Sequence, residues 1–94
     1  MENKEPFVKR ADEYINLANE QLNTTDDLTP GAVSASFLFG AARFNAWVAA
    51  CEFESADNMR EAKEEVIDYF LKEYKQMLNQ HIESHIEAFD FQAK

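Results

Sequence analysis

Only two glycines and two prolines stand among the 94 residues, so the chain holds few turn residues. A β-sandwich needs frequent turn residues, so this composition fits a helical domain with long regular segments better. With glycine only at Gly31 and Gly40, no glycine-rich phosphate-binding loop can form. One cysteine, Cys51, excludes an internal disulfide. Basic residues are also scarce: nine Lys and Arg against eighteen Asp and Glu give a formal net charge of -9. Such a chain repels phosphate backbones and anionic membrane surfaces, so neither nucleic acid nor a membrane is expected as a partner. An acidic decoy of nucleic acid would need carboxylates in two surface rows, but here the acids are scattered among lysines.

What the chain does have is apolar residues, eight of them Phe, at helical spacing. Its length allows one domain over residues 1–94 with a modest core. The opening Met-Glu-Asn-Lys-Glu-Pro has no apolar run behind a basic stretch, so no secretory signal is expected. With the lone cysteine, this points to a reducing cytoplasm. Residues 30–51 carry a single charge, Arg43, and are long enough to span a bilayer. Arg43 lies near the centre of that stretch, where a charge costs about 2.5–3.5 kcal/mol. The stretch therefore reads as the buried core helix of a soluble bundle.

Three helices are predicted, about 5–23, 30–54 and 57–89, as an all-α up-down bundle with a long third helix. In the first, Phe7, Val8, Ala11, Tyr14, Ile15, Ala18 and Leu22 share one side and charged residues the other. Thr29-Pro30 reads as an N-cap followed by proline in the first turn. The second helix has a bulky face (Val33, Phe37, Phe44, Trp47, Val48, Cys51) and a small face (Ala35, Ala42, Ala46, Ala49). A helix apolar on two sides packs on two sides, which places this one centrally. Ser55 or Asp57 can cap the third helix, which has no Gly or Pro from Asn58 to Phe89. Its stripe runs from Val66 and Ile67 to Ile86 and Phe89.

Few residues here carry the marks of chemistry. His81 and His85 leave the same side of a helix, a spacing that can supply two metal ligands. The Glu that a zincin pattern wants directly after the first His stands one place late, at Glu83. Glu three residues before each His, as in di-iron bundles, is replaced by Leu78 and Ile82. Two packing histidines and no metal site are expected, because a pair without a third ligand is weak. Cys51 lies near a helix C-terminus beside Glu52 and Glu54, the reverse of what activates a thiol, and reads as a core cysteine. Arg43, inside a nearly uncharged helix, is expected to be buried and paired with a carboxylate. No catalytic residue and no cofactor is expected.

The stretches Arg10-Ala11-Asp12-Glu13-Tyr14-Ile15-Asn16-Leu17-Ala18-Asn19-Glu20-Gln21 and Val33-Ser34-Ala35-Ser36-Phe37-Leu38-Phe39-Gly40-Ala41-Ala42-Arg43-Phe44-Asn45-Ala46 resemble a family of small bacterial proteins of unknown function. Tyr69-Phe70-Leu71-Lys72-Glu73-Tyr74-Lys75-Gln76-Met77-Leu78 is similar too. The resemblance covers nearly the whole chain, and Ala42-Arg43-Phe44-Asn45-Ala46 is its most specific run. It implies a bacterial, cytoplasmic, stand-alone helical protein and brings no catalytic residue with it.

Two functions follow as expectations. The first is a non-enzymatic interaction module, either a helical homodimer or an adaptor for another protein. At 1.5 Å per residue the third helix spans roughly 48 Å against roughly 36 Å for the second. The overshoot near 81–89 carries Ile82, His85, Ile86 and Phe89, which a second copy would cover. If the helix instead bends near Asn79, the tail folds back on its own chain. The second is a ligand-binding or catalytic bundle that uses Arg43 and Asn45 beside Trp47 and other aromatics; it would show a pocket lined by these residues.

Overall fold

A computed structural model describes residues 4–92, leaving Met1–Asn3 of the opening stretch and Ala93–Lys94 outside the described residues. Three helices and no strand occur among them: α1, Lys4–Thr24; α2, Pro30–Ala50; α3, Ala56–Ala88. Contacts within the chain divide it into two compact units, Met1–Val48 and Ala49–Lys94.

The first unit is built on α1 and α2. Residues 25–29 join them, a length typical of an αα-hairpin. The Thr25 N–H donates to the Gln21 carbonyl at 3.2 Å, and the Thr24 hydroxyl donates to the Glu20 carbonyl at 2.8 Å. Asp27 then turns the chain with φ 69, a left-handed conformation that Asp tolerates better than most residues. Thr29 caps α2: its hydroxyl accepts the Ala32 N–H at 3.1 Å, and Pro30 follows in the first turn.

Val33 is the buried apolar residue of this unit. On α1 the small members of the expected stripe, Ala11 and Ala18, are half-buried along with Leu22, whereas Phe7, Val8, Tyr14 and Ile15 are exposed. On α2 only Asn45 and Ala49 are half-buried besides Val33. This corrects the reading of α2 as a buried central helix. Periodicity shows that a face is apolar, but whether an element lies against that face depends on residues distant in sequence. The helix also stops at Ala50, four residues before the predicted Glu54. The amides of Glu52 and Phe53 turn back onto the Ala49 and Ala50 carbonyls at 3.0 and 3.1 Å, which closes the helix end. Cys51 therefore lies just past α2 and is exposed, not a core cysteine.

The second unit is dominated by α3. Ser55 is its N-cap, with φ -153 and ψ 161, and its hydroxyl accepts the Asn58 N–H at 3.1 Å. Asp57 places a carboxylate in the first turn, favourable to the helix dipole, and pairs with Arg60. Both members of that pair are exposed, so it adds little stability. The helix runs without a break through Asn79 to Ala88, so the alternative of a bend there does not occur. The half-buried residues of α3 are Met59, Ala62, Val66 and Phe70, and every residue from Leu71 to Gln92 is exposed. No helix among the described residues is long and apolar enough to cross a membrane.

Candidate functional site

A groove of about 530 Å³ runs between α1 and α2. Tyr14, Leu17, Ala18 and Gln21 line one side; Val33, Ser36, Phe37, Gly40, Ala41, Phe44 and Asn45 line the other. The α2 residues from Val33 to Phe44 stand at i, i+3, i+4, i+7, i+8 and i+11, which holds them on one helical face. The bulky face read from the sequence held Phe37 and Phe44 and left Gly40 and Ala41 unassigned. Spacing alone would have grouped Gly40 and Ala41 with these aromatics. Gly40 forms part of the groove floor, and a Cβ added there would meet nothing within 4 Å. The lining is mostly apolar, with Gln21, Ser36, Asn45 and the Tyr14 hydroxyl as its polar groups.

Of the three residues expected at a ligand site, the groove takes only Asn45. At 100° per residue, Arg43 and Trp47 each lie about 200° around α2 from Asn45. They belong instead to a row one turn apart, Phe39, Arg43 and Trp47. The Arg43 guanidinium carbon lies 5.1 Å from the Phe39 ring centroid. Trp47 packs beside Phe44, with ring centroids 5.8 Å apart and planes tilted by 35°. Arg43 is exposed, and no ion pair between it and a carboxylate forms among the described residues. That corrects the expected buried pair: on an exposed face water solvates the charge, and the neighbouring ring takes the place of a carboxylate.

At the end of α3, Leu78, His81, Ile82, His85 and Ile86 border a hollow of about 480 Å³ together with Phe91. Ile82 is 49% exposed, Ile86 59% and Phe89 47%. The C-cap is Phe89, whose N–H donates to the His85 carbonyl at 2.9 Å. Beyond it the Gln92 N–H donates to Asp90 Oδ1 at 3.1 Å. The tight turn brings the Phe91 ring edge-on to Phe89 at 5.1 Å, while Phe89 sits 5.9 Å from the His85 ring. The four residues expected at the helix end are thus gathered in one place. Phe91 is the member that helical periodicity missed, because it follows the last turn of α3.

His85 Nδ1 lies 2.8 Å from the His81 carbonyl oxygen. A carbonyl only accepts, so Nδ1 carries the proton in this contact. The described residues contain no group of three or more His, Cys, Asp and Glu placed to hold a metal ion.

The chain is similar to the protein NB7890A from Shewanella sp, known from an NMR structure, at 44% sequence identity and a TM-score of 0.78. The similarity covers 89% of this chain and 86% of that one. None of the curated proteins matches. A family model matches residues 7–86, and the chain belongs to that family, described as "Protein of unknown function (DUF3144)".

Proposed function

We propose that the protein is a non-enzymatic helical module that associates with a second copy of itself through the C-terminal end of α3, around Ile82, His85, Ile86 and Phe89. The observation that carries this reading is the unbroken course of α3 past Asn79 with these side chains exposed at its end. Fully burying such a side chain is worth about 1.5–3 kcal/mol. With each roughly half exposed, Ile82, Ile86 and Phe89 would return on the order of 5–9 kcal/mol across a symmetrical pair. Association itself costs about 4–15 kcal/mol, so more of α3 must take part for the pair to be stable. The net charge of -9 favours a protein partner over nucleic acid. The bacterial relative and the lone cysteine support a bacterial cytoplasmic setting.

Light scattering at micromolar concentration tests the reading. The expected result is a dimer mass that falls to monomer in the double variant Ile82→Asp, Ile86→Asp. A monomer for the intact chain overturns it.

One observation favours a second reading: the α1–α2 groove falls within the volume range of small-molecule sites and carries a few polar groups. In that reading an apolar small molecule lies over Gly40 with Asn45 as its polar anchor. A fluorescent apolar dye such as anilinonaphthalene sulfonate serves as the probe. The groove reading expects dye binding that is abolished by Gly40→Leu, and an unchanged titration overturns it.

A further inference from the structure

We infer that acid opens this pair: the two copies hold together only while the imidazoles of His81 and His85 are uncharged. This rests on the self-association proposed above. The two imidazoles are the only polar side chains bordering the hollow at the end of α3. At 100° per residue, His81, Ile82, His85, Ile86 and Phe89 fall within about 140° of the helix circumference. On that arc His85 and Phe89 lie between His81 and Ile82. A copy that covers Ile82, Ile86 and Phe89 therefore covers His85 as well.

No charged group stands beside either ring. The neighbours on a helix are the residues three and four places away. Apart from the other histidine, these are Met77, Leu78 and Ser84 for His81, and Ile82, Ala88 and Phe89 for His85. Glu83 is two places from both histidines and Glu87 two places from His85, which puts each carboxylate about 160° away around the helix. Lys75 is on the side of the patch but six places before His81, roughly 9 Å along the axis. Asp90, in the tail that carries Phe91, accepts the Gln92 N–H on Oδ1 at 3.1 Å. A twofold pair sets the patch against its own copy, so the second chain brings the same groups and no others.

A neutral imidazole suits such a contact and an imidazolium does not. His85 Nδ1 is already engaged by the His81 carbonyl at 2.8 Å. Protonation adds a full charge that the contact must strip of water, with no carboxylate beside it to compensate. The symmetry gathers these charges from both copies in one place. The negative end of the α3 dipole and the Phe89 ring, 5.9 Å from the His85 ring, favour the cation in the free chain and in the pair alike. Desolvation acts in the pair only. The pair thus binds protons less readily than the free chains. Association is strongest above the range in which imidazoles ordinarily titrate, and is lost as the pH falls through it.

Sedimentation equilibrium of the full chain at about pH 7.5 and about pH 5.5 tests this, with circular dichroism at both. A free imidazole titrates near pH 6.5, so each ring barred from charge in the pair raises the dissociation constant about tenfold over that interval. The expected result is a rise of about tenfold or more at unchanged helix content. In His81→Asn with His85→Gln the ratio of the two constants is expected to fall below about threefold, whatever the affinity itself. A smaller rise in the unsubstituted chain, in a dimer still parted by Ile82→Asp with Ile86→Asp, overturns this inference while self-association stands. A full rise that survives both histidine substitutions belongs to the carboxylates and overturns it too. So does a rise that comes with loss of helix. A monomer at both pH values overturns the self-association with it. If the double variant does not dimerise, the unsubstituted chain still decides. Dilution calorimetry near pH 6, in two buffers of different protonation enthalpy, counts the protons taken up as the pair parts. At least about one per pair is expected, and none overturns the inference.

Discussion

The Arg43 guanidinium carbon lies 5.1 Å from the centre of the Phe39 ring, one turn back along α2. An exposed cation–π contact is worth about 0.5–1 kcal/mol, whereas breaking a buried ion pair costs about 3–5 kcal/mol. Arg43→Met is therefore expected to shift the urea unfolding free energy by no more than about 1 kcal/mol. A loss several times larger would mean that the guanidinium serves a buried carboxylate.

Gly40 stands in the middle of α2 with open space where its Cβ would be. Glycine in a helix interior costs about 0.8–1.0 kcal/mol relative to alanine. Gly40→Ala is expected to stabilise the protein by about that amount, a rise of roughly 4–8 °C in Tm for a domain of this size. Calorimetry measures it. A fall in Tm would show that another backbone approaches the groove floor more closely than a methyl group permits.

Both helix starts in the described loops rest on a hydroxyl. Ser55 accepts the Asn58 N–H and Thr29 accepts the Ala32 N–H, each at 3.1 Å. Ser55→Ala and Thr29→Ala are each expected to cost about 0.5–2 kcal/mol in urea titration. Ser55→Asp keeps an acceptor and should stay close to the parent. Equal losses for Ser55→Ala and Ser55→Asp would remove the cap from the account of α3.

His81 and His85 lie one turn apart, and His85 Nδ1 is engaged by the His81 carbonyl. Two ligands without a third make a weak zinc site. Calorimetric titration should show zinc binding weaker than micromolar. Nanomolar affinity that disappears in His85→Ala would contradict this and would bring a third ligand into the site.

Much of the local structure was legible before any fold was known. The Thr29 and Ser55 caps lie within three residues of the amides they satisfy, and the lack of Gly and Pro from Asn58 to Phe89 permits a long helix. These signals act along the chain over one turn, where propensity and capping operate. The C-terminal end of α2 was harder to place. Glu52 and Phe53 have no residue type that stops a helix, and the stop comes from a turn whose amides bond Ala49 and Ala50.

The candidate site divides in the same way. Ile82, His85, Ile86 and Phe89 could be named together because a helix at 100° per residue puts them near one another whatever surrounds it. The same rule separates Arg43 and Trp47 from Asn45, but choosing the side of α2 that lines a groove required α1 to be in place. Tyr14, Leu17, Ala18 and Gln21 fix that choice from across the hairpin, at least twelve positions away from Val33 in sequence.

By itself, then, the sequence determined an all-α chain, its three helices, the hydroxyl caps of the second and third, and the apolar end of the third. Each of these depends on contacts within a turn or on the periodicity of a single helix. The tertiary structure decided that Val33 is buried while Phe37, Phe44 and Trp47 are exposed, that Arg43 lies over Phe39, and that Cys51 is outside. Burial is a property of neighbours. A side chain's distance from water depends on residues that the chain brings near only when it folds, and no periodicity in the sequence records which of them arrive.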